Sequence, residues 1–200
     1  MSTRKKLSAT ERKKEICQAA REKFLEKGFN NTTMEDVINN TSMSKGGVYY
    51  YYKNTADILY DIMKEGNEYR KGIIKNYLKE NSRKNWEEKF SEMIVDKMID
   101  NNDFMPIYVM FLQEIKKDIN LKNLYDKLKY EVTNDLDKID EEVFRENRDL
   151  FMNEFIISFI NSIILGAEIL GDRDVFIKNK DVLLVMLRAY IEYYKKKNNK

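Results

Sequence analysis

No histidine occurs anywhere in the 200 residues. Its absence excludes a Ser-His-Asp triad, a Cys-His pair, a His-based zinc site and any imidazole general base. Cysteine is almost as scarce. Cys17 stands alone, so neither an intrachain disulfide nor a thiolate metal cage can form, as expected of a reduced, cytoplasmic setting. It shares an apolar helical register with Ile16, Ala20 and Phe24 and reads as a buried structural thiol. One proline and 7 glycines leave little with which to build the turns of a sandwich or barrel, so the composition points to an all-α fold. Long apolar runs are also missing. The longest charge-free stretch, Phe155 to Ala167, has 13 residues, short of the ~18 needed to cross a bilayer. With no catalytic set, metal cluster or phosphate-binding glycine loop in view, the expectation is a protein that is not an enzyme, needs no cofactor and has no membrane partner.

What is present is charge, unevenly placed. Residues 1–53 carry 11 Lys and Arg against 6 Asp and Glu, whereas the rest carries 25 against 28. A basic first quarter on a slightly acidic remainder suggests that the first part meets a polyanion. The opening residues Met1 to Lys6 are polar and basic with no apolar segment behind them, which is not the pattern of a signal peptide. Arg4, Lys5 and Lys6 could form a flexible basic arm or a solvated tail.

Ser8-x-x-Glu11 is a capping box that opens a first helix, which runs through Ile16, Ala19, Ala20, Phe24 and Leu25 until Gly28 ends it. Thr33-x-x-Asp36 is a second box, on a short helix that stops near Asn40 in the turn-forming Asn40-Thr41-Ser42. Ser44 can cap a third helix and Asn54 a fourth. Two short helices joined by a tight turn behind a longer one make a three-helix unit. From Thr55 the pattern changes to long helices: 55–80, about 86–98, 104–117 with Pro106 in its first turn, 121–139, 150–170 and about 174–196. The expected division is 1–54 and 55–200.

The segment Thr32 to Leu59 is the informative one. A helix lying in the major groove of DNA must present polar and aromatic tips on one face and bury an apolar face against its supports. Val48 and Tyr52, four apart, share one face, and Lys45 and Tyr49 share another. Consecutive helical residues point about 100° apart, so the run Tyr49 to Tyr52 cannot be buried throughout. Gly46 and Gly47 weaken a helix and suit a backbone that comes close to something large.

Read in order, Ile16 with Ala19-Ala20 and Phe24, Lys27-Gly28-Phe29, Thr32-Thr33 with Asp36-Val37, Ser44-Lys45-Gly46 with Val48-Tyr49, then Tyr52-Lys53-Asn54 and Leu59 resemble the TetR family of bacterial transcriptional regulators over roughly residues 8–60. The resemblance implies an N-terminal three-helix helix-turn-helix domain, with 33–40 as supporting helix and 44–51 as recognition helix, and a larger C-terminal helical bundle for dimerisation and ligand binding. By position it implies phosphate contacts from Thr33, Ser44, Tyr49 and Lys53. Lys45, Gly47 and Tyr50, beside Gly46, approach base edges, and Tyr51 sits where the family often has a phosphate-contacting histidine. Ile38, Ser42 and Thr55 depart from the common pattern.

Beyond residue 60 only length and helical layout are shared. The apolar stripes Phe151, Phe155, Phe159, Ile163, Leu170 and Phe176, Leu183, Leu187, Tyr190, Tyr194 suit pairing of two copies. Met93, Tyr108, Phe111, Leu112, Tyr125 and Phe155 are candidate lining for a greasy ligand site, with Glu92, Glu114 and Glu154 as acidic neighbours. The implied function is a cytoplasmic, homodimeric transcriptional regulator, a repressor released from double-stranded operator DNA by a small hydrophobic effector. The alternative is a helical ligand-binding or scaffold protein with an inactive DNA-binding head.

Overall fold

Four polar side chains decide where the first four helices begin. Ser8 opens α1 (Ala9–Lys27) reciprocally: its hydroxyl accepts from the Glu11 N–H at 3.2 Å while its own N–H donates to the Glu11 carboxylate at 2.7 Å. Thr33 and Asp36 repeat the arrangement at α2 (Met34–Asn39). Ser44 accepts from the Gly47 N–H at 3.3 Å at the start of α3 (Lys45–Tyr51), and Asn54 accepts from the Asp57 N–H at 2.8 Å at the start of α4 (Thr55–Glu80). All four stand where the spacing predicts. Gly28 ends α1 at φ 80, a left-handed backbone that favours glycine, and donates to the Phe24 carbonyl at 2.8 Å.

The computed structural model describes residues 7–80, 86–137 and 147–198, and no strand occurs among them. The basic arm Arg4, Lys5 and Lys6 lies outside the described residues. The chain continues through α5 (Trp86–Ile99), α6 (Met105–Glu114), α7 (Ile119–Asp137) and the single turn α8 (Arg148–Phe151). Then come α9 (Glu154–Leu165), a π-helical turn (Gly166–Leu170), α10 (Arg173–Lys178) and α11 (Lys180–Asn198). No helix among the described residues is long and apolar enough to cross a membrane.

The helix expected over 104–117 spans Met105–Glu114, and asparagines and an aspartate account for three further departures from the expected bounds. The helix expected over 150–170 is broken at Asn153, whose extended backbone (φ −64, ψ 128) and side-chain bond from the Phe155 N–H at 2.9 Å start a new helix. The one expected over 174–196 is interrupted at Asn179, which donates to the Val175 carbonyl at 2.8 Å and closes α10. α7 starts at Ile119, ahead of the expected Leu121, because Asp118 accepts from the Asn120 N–H at 2.7 Å. In each case a side chain that competes with the helical ladder wins locally.

The chain falls into two compact units: one gathers the chain up to Asn67 with Pro106–Asp126, the other Glu68–Met105 with Lys127–Lys200. The first has an apolar centre of Ile16, Ala20, Phe24, Val37, Val48, Ile58, Leu59 and Ile62, with Phe24 and Phe29 ring centroids 5.3 Å apart. Its tight turn is tied to α1 by polar groups. The Ser42 N–H donates to Glu15 at 2.6 Å, and Asn40 donates to Glu22 at 2.8 Å and to the Ala19 carbonyl at 3.3 Å. The Ser42 bond, opposed by some burial, holds the Glu15 carboxyl below its usual range.

A partly buried polar cluster ties the end of α3 to α1 and α4. Tyr52, the residue that caps α3, donates its hydroxyl to Asp61 at 2.7 Å and lies 3.5 Å from the Cys17 sulfur. Lys13 donates to Asp61 at 3.0 Å and sits 5.2 Å above the Tyr52 ring. Cys17 is thus the structural thiol expected, 1% exposed, and burial above all pushes it up to about 11.

In the second unit α5 is the common partner of α9 and α11. Val95 and Met98 of α5, Ile156, Ile160 and Ile164 of α9, and Leu183, Leu187 and Ile191 of α11 are all buried. Ion pairs run along the α5–α11 rim, Lys180 to Asp96 at 2.6 Å, Arg188 to Glu88 at 3.1 Å and Lys195 to Glu87, each contributing little because it is exposed.

Two outcomes follow from this packing. Phe24→Ala leaves a cavity in a fully buried site and should lower stability by about 3–5 kcal/mol, read from urea unfolding midpoints. A loss under about 1 kcal/mol would mean that the site collapses freely. The Cys17 thiol, raised from 9.0 to about 11, should stay protonated and resist iodoacetamide in folded protein at about pH 8 while reacting readily in urea. Since its folded value is raised, the stability linked to it is whole below about pH 9 and lost as pH climbs towards 11. Rapid alkylation of folded protein would contradict the packing around Tyr52.

Candidate nucleic-acid interface

Helix α3 has seven residues and only one fully buried side chain, Val48. With Tyr52, 3% exposed, Val48 forms the inner face. The outer face carries Lys45, Gly46 and Tyr50, all exposed, with Gly47, Tyr49 and Tyr51 half-exposed at its edges. Tyr50 is 79% exposed and meets Tyr51 edge-on, ring centroids 5.1 Å apart. The division between Val48/Tyr52 and Lys45/Tyr49 is the one the four-residue spacing predicts, and the tyrosine run is split as helical geometry requires.

The polar side chains differ in what they still have to offer. Ser44 accepts from Gly47 and keeps its hydroxyl hydrogen for an outside acceptor. Thr33 is more fully used: its hydroxyl donates to Asp36 at 2.8 Å and accepts from the Asp36 N–H at 3.2 Å. Lys27, at 2.7 Å, and then the Thr33 groups hold the Asp36 carboxyl well below the usual range. Lys53 donates to the Tyr49 carbonyl at 2.8 Å, closing the end of α3, and remains exposed. Lys45 reaches back to Glu35 of α2 at 3.1 Å in a pair exposed on both sides. Such a pair is weak and exchanges readily for a phosphate.

The two glycines have different reasons. A Cβ on Gly46 would point into open space, so nothing inside the protein demands glycine there, and a large body outside it would. A Cβ on Gly47 would come within 3.3 Å of Met43 and of the Ser44 hydroxyl that caps the helix, an internal reason.

The residues singled out for a ligand site are divided by the two units. Phe111 and Tyr125 meet with centroids 6.0 Å apart in the first, where Tyr108 and Leu112 are half-buried along α6. Met93, buried in α5, and Phe155 belong to the second; Phe155 is 64% exposed and stacks on Tyr190 at 5.6 Å. Glu92 accepts from Tyr77 and Lys89, both at 2.9 Å, and Glu154 is exposed. Glu114 accepts from Lys117 at 3.1 Å and, at 2.7 Å, from Asn30 in the loop after α1. Among the described residues no three Cys, Asp or Glu gather as a metal ion needs. The Glu35 and Asn30 contacts escape sequence reading, since both join segments distant in the chain and neither residue type stands out from its neighbours.

Residues 16–62 match the family described as bacterial regulatory proteins, tetR family. Over 55 residues the chain is 42% identical to YfiR, an uncharacterized HTH-type transcriptional regulator of Bacillus subtilis (strain 168); the match takes in 28% of this chain and 27% of that protein. The chain therefore covers about a quarter of the relative's length. Two solved structures share the fold over nearly the whole chain. Salmonella enterica GusR superposes with a TM-score of 0.67 at 15% identity, covering 94% of this chain and 96% of its own. A protein of Aquifex aeolicus VF5 described as a transcriptional regulator (TerR/AcrR family) does so with a TM-score of 0.59 at 21% identity, covering 92% and 99%. Residues 16–62 are thus similar to the helix-turn-helix head of the tetR family of bacterial regulatory proteins, carried on a fold shared with these two structures.

Proposed function

We propose that the protein is a homodimeric regulator of transcription that binds operator DNA through α3, acts as a repressor and is released by a small hydrophobic effector. The observation that carries this reading is the two-sided character of α3: Val48 and Tyr52 are buried, while Lys45, Gly46 and Tyr50 face outward. A single short helix with a cationic and aromatic outer face suits the major groove. Ser44, Tyr49, Tyr51 and Lys53 then serve as phosphate contacts and Lys45, Gly47 and Tyr50 as approaches to base edges. Thr33 joins them by exchanging its bond to Asp36 for one to phosphate. Residues 1–54 act as the head and 55–200 as the effector-binding and pairing region.

Pairing is supported by two apolar faces on α11. Leu183, Leu187 and Ile191 point inward, whereas Val182, Val185, Met186 and Tyr193 share an opposite face and are all exposed. Two such faces brought together from two copies bury an apolar stripe and set two recognition helices about one helical turn of DNA apart. The effector acts by favouring one spacing of those helices over another.

A gel shift on the region upstream of the protein's own gene tests the reading. Retardation should weaken steeply with salt, and Lys53→Ala should reduce the slope of log affinity against log salt by about one. Tyr50→Ala should cost roughly tenfold or more in affinity for that fragment. Absence of retardation at low salt would remove DNA binding. For the pairing, Val185→Lys combined with Met186→Lys should convert a sedimenting dimer into monomer; a dimer unaffected by both charges would place the interface elsewhere.

A further inference from the structure

The outer face of α3 is poor in side chains that hydrogen-bond to bases. From Lys45 to Tyr51 the helix holds no Arg, Asn, Gln, Asp, Glu, Ser or Thr, so apart from Lys45 the usual readers of base edges are missing. Lys45 itself meets both carboxylate oxygens of Glu35, at 3.1 and 3.4 Å, a pair that has to open before the ammonium can turn to a base. What the face offers instead is aromatic. Tyr50, 79% exposed, is the most exposed large apolar side chain among the described residues, so its ring contributes little to holding the fold together.

The Tyr50 ring is braced edge-on by Tyr51, centroids 5.1 Å apart and planes at 87°. Gly46 lies one turn earlier on the same face, and a Cβ there would meet nothing within 4 Å. Ring and bare backbone form an apolar corner open to the outside, with the exposed cations Lys45 and Lys53 before and after it in the chain. In a major groove such a corner can do what its polar neighbours cannot, which is to pack on an apolar group. A base pair presents at most one there, the 5-methyl group of thymine. Taking that methyl out of water favours binding, and it requires the backbone to come close, which a side chain at position 46 would hinder.

We propose that Tyr50 and Gly46 form a reader of thymine methyl groups: the ring packs against the 5-methyl of a thymine, and the bare backbone at Gly46 lets that base edge approach. This rests on the regulator reading and deepens it. The bound sequence then carries a thymine at a fixed place before each copy of α3, selected by apolar contact and shape rather than by a matched set of hydrogen bonds. The two lysines hold the phosphates on either side and leave the choice of base to the ring.

Gel-shift titration of the full chain tests the reader on the fragment upstream of its own gene, made once with thymidine and once with deoxyuridine in its place. The two DNAs differ only in those methyl groups. The deoxyuridine fragment should bind at least about fourfold more weakly, the factor that one buried methyl supplies. Tyr50→Ala should bind both fragments weakly and equally, whereas Tyr50→Phe, which keeps the ring and loses the hydroxyl, should keep the preference for thymidine. Gly46→Ala should leave the melting temperature unchanged or raise it, since its Cβ is unobstructed within the protein, and should still weaken binding to the thymidine fragment. Equal binding of the two fragments by the unaltered chain, or a thymidine preference that survives Tyr50→Ala, would overturn the proposal. Loss of the preference in Tyr50→Phe would assign the contact to the hydroxyl and overturn it as well. Were the Ala variant to unfold, the Phe variant and the unaltered chain decide between them. No retardation of either fragment at low salt would remove the regulator reading and this one together; retardation of both without a difference would remove the methyl reader alone.

Discussion

A helix of two turns with a single buried side chain cannot hold its own position, and everything this protein does at its N-terminal end depends on how α3 is pinned. Nucleation is costly and isolated helices this short are marginal in water, so its order comes from what grips its ends. Ser44 grips the start and Tyr52 the finish. Tyr52 is anchored through its hydroxyl to Asp61 on α4 and packs its ring under Lys13 of α1. Val48 fills the space between. Because the anchors take the inner face and both ends, the remaining face is free to be cationic and aromatic without any loss of internal packing.

The turn before α3 is held by a similar economy of polar groups. Glu15 of α1 takes the Ser42 N–H and Glu22 takes Asn40, so the angle between α2 and α3 is read out against α1. The bond from the Ser42 N–H to the Glu15 carboxylate is charge-assisted, which is the stronger kind. Asn30 ties the loop after α1 to Glu114 at the end of α6 within the same unit.

The second unit is organised by α5, on which α9 and α11 pack their buried faces. Near the C-terminal end of α5, Asp96, Asp100 and Glu168 are each matched to a cation. The apolar face of α11 that carries Val182, Val185, Met186 and Tyr193 is left outside that packing.

Local chemistry was legible in the chain: the four caps at Ser8, Thr33, Ser44 and Asn54, the glycine stop at Gly28, the inner face of Val48 and Tyr52, and the burial of Cys17. Each rests on interactions within four residues or on a helical period, which spacing alone conveys. The breaks at Asn153 and Asn179 were not legible, since asparagine in an apolar run is as compatible with a continuing helix as with a cap until neighbours compete for the backbone. Pairings between distant segments, Ser42 with Glu15, Tyr52 with Asp61, Asn30 with Glu114, Arg70 with Asp100, were settled only when the helices packed. The counter-ions of Lys13 and Arg70, Asp61 and Asp100, were decided there too, because a counter-ion is chosen by proximity in space and proximity in space is what folding creates.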